Sequence, residues 1–331
     1  MEHKGALSSN YIAGFTFVPN ISVNQNIMYN NSILVLGAGE LGMAVLRNLA
    51  NHTGPSSNTT VTVLLRPSTI ESLHPDKQKD IAELNSLGIK IISGDLSGSS
   101  NELSAIFKDF HTVISCTGFV TGAGGFQLKL AQAVLAAGVK RYFPWQFGVD
   151  YDSIGRGSAQ DLFDEQLDVR DLLRSQSETE WVIVSTGMFT SFLFEPAFGI
   201  VNLTQNTVHA LGSWNTAVTV TTPEDIGMLT AEICFAEPRI INSIVYTAGD
   251  TITYGQLADT VDAVLDRKVQ RIEWSLPELK KELMKDPDNG IKKYRLVFAE
   301  GKGVSWDFDK TFNAQYKIET VGAMRWAREN L

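Results

Sequence analysis

The chain has 331 residues, 44% of them hydrophobic and 20% charged, which suits one large α/β unit or two modest domains around sizeable cores and excludes a disordered protein. Its 28 basic and 37 acidic side chains leave a formal net charge of −9, so nucleic acid would be repelled and no such partner is expected. Two cysteines, Cys116 and Cys234, cannot build a disulfide framework, and a reducing, cytoplasmic setting is the expectation.

Residues 1–31 read as a polar N-terminal extension. They begin with Glu2, His3 and Lys4 and run on through Asn20, Asn24, Asn26, Asn30 and Asn31, without the basic and then apolar regions of a signal peptide. Phe15, Phe17 and Val18 could dock this stretch on the body. No apolar run reaches the roughly 18 residues of a membrane span, so no membrane partner is expected and the sequon at Asn58 is taken as accidental.

From Ser32 short β-rich apolar runs alternate with helical stretches. Strands are predicted at 33–36, 61–65, 89–92, 112–116, 141–143 and 181–184, each apolar enough to be buried on both faces as parallel strands are. Helices are predicted at 40–50, 77–87, 101–110, 127–137 and 159–174, with Gly88 and Gly138 as C-caps. Such alternation specifies a Rossmann-type α/β fold, a doubly wound parallel sheet over residues 32–186. A smaller α+β substrate lobe, residues 187–331, is expected to follow, its start crowded by Phe189, Phe192, Phe194 and Phe198. Within it Pro223 sits at the first position of a helix, 244–246 is a further strand, and 218–250 is expected to return to the Rossmann sheet. Residues 276–285 and 311–328 read as amphipathic helices.

The most specific signal is Gly37-Ala38-Gly39-Glu40-Leu41-Gly42, between the first strand and the first helix. Gly37 permits the tight turn and Gly39 lets the backbone approach a diphosphate. Gly42 lets the helix lie close on the strand, and the free N–H groups and dipole at the helix start face the anion. At the end of the second strand an acidic residue would accept from a ribose 2′-hydroxyl, but the chain carries Arg66, then Ser68 and Thr69. A guanidinium and two hydroxyls suit a 2′-phosphate, so NADP(H) is the expected cofactor. Asp95 and Leu96 end the third strand where adenine would lie, and Thr117, Gly118 and Phe119 end the fourth at the switch-point crevice. Cys116 reads as a small buried hydrophobe. The five histidines, His3, His52, His74, His111 and His209, show no metal-site spacing, and no Gly-x-Ser-x-Gly elbow occurs. Phe119, Phe147, Trp145, Met188, Phe189 and Phe192 are the candidates for an apolar aromatic-binding pocket.

These residues, taken with 141–148 (Arg-Tyr-Phe-Pro-Trp-Gln-Phe-Gly) and 162–170 (Leu-Phe-Asp-Glu-Gln-Leu-Asp-Val-Arg), resemble the isoflavone reductase-like branch of the NmrA-like, atypical short-chain dehydrogenases. The likeness extends through Pro223-Glu224-Asp225-Ile226-Gly227 and Thr247-Ala248-Gly249-Asp250. It implies a Rossmann core with a small C-terminal substrate lobe, NADPH as hydride donor, and aromatic or polycyclic secondary metabolites as substrates. Three departures stand out. The glycine loop is one residue shorter than is frequent in the family, Trp145 and Gln146 stand where it has Ser and Glu, and the family's catalytic lysine position is Gln166. A glutamine donates a hydrogen bond but supplies no proton near neutral pH, forgoing acid–base help worth roughly 10²–10⁴-fold. Asp150, Tyr151, Asp161 and Glu165 are the candidate substitutes.

The leading expectation is an NADP(H)-dependent reductase, monomer or homodimer, acting on a small aromatic or heterocyclic secondary metabolite such as an iminium or an enone. Gln166, Gln146 and Tyr151 are its candidate catalytic residues, with either glutamine orienting the substrate, and Phe147 contacts both cofactor and substrate. A non-redox cyclase or isomerase that keeps NADP as a structural cofactor is the second reading, and a non-catalytic NADP-sensing regulator the third.

Overall fold

The computed structural model describes residues 32–53, 58–118 and 124–331. The N-terminal extension and Phe119 lie outside the described residues. The chain starts with β1 (Ser32–Leu36), α1 (Glu40–Thr53), β2 (Thr60–Leu65), α2 (Pro67–Ile70), α3 (Pro75–Ser86) and β3 (Lys90–Ser93). It continues through α4 (Ser100–Phe107), β4 (Thr112–Ser115), α5 (Phe126–Ala136), β5 (Arg141–Phe143), α6 (Tyr151–Ile154), α7 (Leu162–Arg174) and β6 (Glu180–Ser185). Next come β7 (Met188–Phe189), β8 (Val201–Asn202), β9 (Thr207–Leu211), β10 (Ala217–Thr221), α8 (Pro223–Phe235), β11 (Ser243–Tyr246) and β12 (Asp250–Thr253). The last elements are α9 (Tyr254–Leu265), β13 (Gln270–Trp274), α10 (Leu276–Lys285), α11 (Gly290–Glu300), α12 (Phe312–Tyr316) and α13 (Ala323–Asn330).

Seven strands form one sheet in the order β11-β6-β5-β4-β1-β2-β3, and every pairing in it is parallel. This is the doubly wound α/β architecture that the strand and helix alternation predicts. Successive residues of β1 show why the sheet must be covered twice, because strand side chains alternate between faces. Ile33 and Val35 pack with Leu46 of α1 and with Ile226 and Leu229 of α8, whereas Leu34 and Leu36 pack with Phe107 of α4, Val134 of α5 and Leu173 of α7. On the first face α1 and α8 approach closely at Gly227, where a methyl group would lie 2.4 Å from the backbone carbonyl carbon of Ala44.

Two small sheets, β12-β10-β7 and β13-β9-β8, build the remaining part with α9 and α11. The strand at 244–246 stands at the edge of the large sheet beside β6, while β10 and β12 pair with each other. The single amphipathic helix predicted over 311–328 is corrected by the structure, which breaks it after α12 at Lys317 (φ +56°) and resumes it at α13. Tertiary hydrogen bonds win over the helical pattern there: the Asp225 carboxylate accepts from the Val321 N–H at 2.8 Å and the Asp250 carboxylate from the Ala323 N–H at 3.0 Å. Asp225 does so from a buried position, and burial pushes its carboxyl above the usual range.

A second carboxylate behaves oppositely. Burial by itself would raise Asp262, but the Val269 N–H at 2.7 Å and the Lys268 and Arg271 side chains bring it down to about 2. Its stabilising contribution is therefore present above the ordinary carboxylate value of about 4 and disappears as pH falls through about 2. The variant Asp262→Asn should unfold at lower denaturant than the parent at pH 7, the difference closing as pH approaches 2. Filling the helix contact with Gly227→Ala should cost about 1–3 kcal/mol of overpacking, measured by urea unfolding at neutral pH.

Candidate active site

The carboxyl ends of β1 and β4 lie side by side, Leu36 opposite Ser115, and the strand order reverses between them. A doubly wound sheet opens its ligand crevice at such a point. Gly37 leaves β1 with φ +92°, in the left-handed region. A methyl group on Gly42 would lie 2.3 Å from the Gly37 carbonyl oxygen, so only glycine lets α1 start this close to the strand end. A methyl group on Gly39 would meet no atom within 4 Å, because that face opens into a cleft of about 440 Å³. Met43 is the first residue of α1 to find a helical partner, the Gly39 carbonyl at 2.8 Å, and by helix geometry the N–H groups of Glu40, Leu41 and Gly42 precede the ladder. Leu41 sends its side chain into the core and Glu40 stays exposed.

Of the residues singled out for a dinucleotide, Gly37, Gly39, Arg66, Thr69, Asp95, Leu96 and Thr117 line this cleft together. Ser68 is exposed beside it on α2, and the Gly118 carbonyl accepts from Gln127 Nε2 at 2.8 Å. Phe147 lies elsewhere, packed between the core and a second pocket. Asp95 is part of its own turn: Oδ1 accepts from the Ser97 N–H at 2.8 Å, and that bond, the Ser97 hydroxyl, Arg66 and Lys129 hold the carboxyl below its usual range. Sequence reading missed Lys77 and Phe126, both on the cleft wall, and Lys129, whose ammonium donates to the carbonyls of Leu96, Ser97 and Gly98 at 2.9, 3.1 and 2.9 Å. A predicted helix face gave no sign that these lysines turn toward one rim.

The second pocket, about 280 Å³, is lined by Trp145, Phe147, Tyr151, Phe163, Phe189, Phe192, Tyr294 and Phe298, with Gly148, Val149, Gly187 and Met188 between them. Among the described residues no carboxylate, ammonium or guanidinium lines it. The rings hold one another edge-on: Trp145 against Phe147 at 5.7 Å, Tyr151 against Phe163 at 5.0 Å, and Phe163 against Tyr294 at 5.8 Å. Trp145, Phe147, Met188, Phe189 and Phe192, expected around an aromatic ligand, are brought together here. Tyr294 and Phe298, from the distant helix α11, were not anticipated. Phe147 also belongs to the apolar cluster that contains Cys116, and Cys116 lines the cleft, so one core cluster backs both cavities.

Beside the aromatic pocket lies a fully buried guanidinium. Arg170 of α7 donates through Nε to Gln146 Oε1 at 2.7 Å and through Nη1 to Asp152 at 2.7 Å, with Asp150 at 3.5 Å. Gln146 in turn donates from Nε2 to the Gln166 carbonyl at 2.8 Å. Both amide atoms of Gln146 are thus engaged inside the protein, and neither this residue nor Gln166 lines the pocket. Gln166 is itself fully buried, with Oε1 and Nε2 unpartnered. Among the other candidates, Glu165 caps α5 by accepting from the Gln127 and Leu128 N–H groups at 2.6 and 3.1 Å, and Asp161 pairs with Lys293 at 2.8 Å. Burial pushes the Cys116 thiol far up, so no thiolate nucleophile stands in the crevice. Among the described residues no group of His, Cys, Asp and Glu could hold a metal, and no helix is long and apolar enough to cross a membrane.

The model of the NmrA-like family matches residues 29–320. An NmrA-like family domain-containing oxidoreductase of Gibberella moniliformis (strain M3125 / FGSC 7600) is 49% identical over 302 residues, covering 91% of this chain and 98% of that protein. Phenylcoumaran benzylic ether reductase 1 of Arabidopsis thaliana is 25% identical over 293 residues, 86% and 91% of the two chains. In three dimensions the chain is similar to an isoflavone reductase (TM-score 0.76, 19% identity, 92% and 100% covered). It is also similar to a leucoanthocyanidin reductase of Vitis vinifera solved with NADPH (TM-score 0.72, 19% identity, 90% and 98% covered).

Removing one partner of a buried, hydrogen-bonded charge group strands the rest. Arg170→Met should therefore cost about 3–5 kcal/mol in urea unfolding, far more than Arg156→Met, whose partners Asp168 and Asp171 are exposed.

Proposed function

The chain belongs to the NmrA-like family, and from that premise we propose that it is an NADP(H)-dependent reductase of a small aromatic or heterocyclic metabolite. The observation that carries this reading is the pairing of two cavities over one core cluster: a glycine-loop cleft rimmed by cations and an uncharged pocket walled by aromatic rings. The name of one relative, a phenylcoumaran benzylic ether reductase, points the same way.

The cleft fits the cofactor. The open face of Gly39 and the first turn of α1 would take the diphosphate, and Arg66, Thr69 and Lys77 the 2′-phosphate. Thr117 and Gly118 follow β4 where the nicotinamide would lie. Bound there, the dinucleotide supplies a hydride. The protein's part is to exclude water and to fix the substrate ring, which eight aromatic walls around a space of about 280 Å³ do for a compact planar molecule.

The pocket lining favours a second reading. Among the described residues its ionisable groups are two phenols that burial keeps protonated, so it offers hydrogen bonds but no general acid or base near neutral pH, which suits a cyclisation or isomerisation over a retained cofactor. The two readings separate in stopped flow with aromatic carbonyls, enones and iminiums: loss of NADPH absorbance supports the reductase, while substrate turnover at constant NADPH supports the cyclase. For the cofactor, Arg66→Ala should weaken NADPH about tenfold to a hundredfold, as the loss of one charge-assisted bond of about 1.5–3 kcal/mol requires, and leave NADH nearly unchanged in fluorescence titration. An unaltered NADPH preference in that variant would remove Arg66 from the site.

A further inference from the structure

Within the aromatic pocket, polar groups are few. Its lining side chains carry no ionisable group other than two phenols and a polar N–H only on Trp145, so an anionic substrate oxygen would be buried there without a counter-charge. Tyr151 is 2% exposed, and its hydroxyl makes no hydrogen bond among the described residues. The oxygen rests against Gly148: a methyl group built there would lie 2.6 Å from Oη and 3.5 Å from Cζ, so glycine at 148 leaves room for the hydroxyl. Its ring is gripped on two sides, edge-on by Phe163 at 5.0 Å and by the Arg170 guanidinium 5.1 Å from the ring centre. Arg170 is itself locked by Gln146 and Asp152. A buried donor that is rigidly held, without a hydrogen-bond partner among the described residues and part of the wall of an otherwise apolar cavity, is arranged for an acceptor on a ligand.

We propose that the Tyr151 hydroxyl is the hydrogen-bond donor for a neutral carbonyl oxygen of an aromatic ligand in this pocket, with Arg170 as its positioning residue. The proposal rests on the reading of the pocket as the substrate site, and not on the cofactor. Burial keeps the phenol protonated well beyond neutral pH, while the guanidinium opposes that shift and polarises the O–H bond. A protonated phenol donates where the Gln166 amide, buried outside the pocket lining, does not reach the ligand.

The test uses the full-length protein without added cofactor and acetophenone labelled with ¹³C at the carbonyl, read by infrared difference spectroscopy. The bound carbonyl band should fall below its frequency in an apolar solvent. The downshift should vanish in Tyr151→Phe while binding, followed by isothermal titration calorimetry, persists within a few-fold. Gly148→Ala, which crowds the hydroxyl, should reduce the downshift in the parent and change nothing further in the Tyr151→Phe background. Arg170→Lys, keeping a cation but not the planar fork, should move the band back toward the solvent value. The same band position in parent and Tyr151→Phe, or no binding of the ketone at millimolar concentration, would overturn the donor role. An unmoved band in Arg170→Lys would overturn the positioning role. Failure to oxidise NADPH leaves all these spectra unaffected, so the two proposals fail separately.

Discussion

A guanidinium with no exposed surface dictates much of the arrangement around the candidate site. Arg170 must recruit compensating groups, and it draws them from two stretches of chain: Gln146, just after β5, and Asp152 of α6, with Asp150 beside it. Desolvation of such a charge is costly unless it is paired and hydrogen-bonded, and here Nε and Nη1 are engaged while Nη2 has no partner among the described residues. Helix α7, the loop after β5 and the first turn after it are thereby fixed relative to one another. The aromatic pocket inherits that rigidity, since Trp145, Phe147 and Tyr151 flank the same residues in sequence.

The strand and helix alternation was legible because parallel strands carry apolar residues on both faces and leave little ambiguity of period. The glycine loop was legible for a local reason too, as three glycines between a strand and a helix are explained by contacts within a few residues, Gly42 against Gly37 above all. What escaped were contacts between distant segments. Tyr294 and Phe298 reach the pocket from a helix more than a hundred residues beyond the other walls, and nothing in the pattern of α11 distinguishes them from ordinary core residues. Gln146 and Gln166 were visible as unusual residues, but that one is consumed by Arg170 and the other buried with a free amide depends on side-chain packing alone. The break at Lys317 was hidden likewise, because the carboxylates that hold the extended stretch after it come from Asp225 and Asp250.

The two cavities divide the work of recognition by polarity. One is rimmed by Arg66 and Lys77 and floored by glycine backbone, and the other presents ring faces and edges with two neutral phenols. A chain with net charge −9 thus concentrates positive potential at one local rim, where it acts on a ligand without altering the overall field. Phe147, 5% exposed, packs edge-on against Trp145 on the wall of the apolar cavity and belongs to the core cluster that also contains Cys116.

Lys129, beside the cleft, stands in a different environment from Lys77 on its wall. Its ammonium is surrounded by three carbonyl oxygens of one short loop and lies over the Phe126 ring at 5.3 Å, an environment that resembles a small cation-binding nest with the cation covalently tethered. The loop that carries Asp95 and Leu96 therefore brings its own counter-ion. Its shape is set by a charge that cannot diffuse away, and is independent of which free cations the surrounding solution contains.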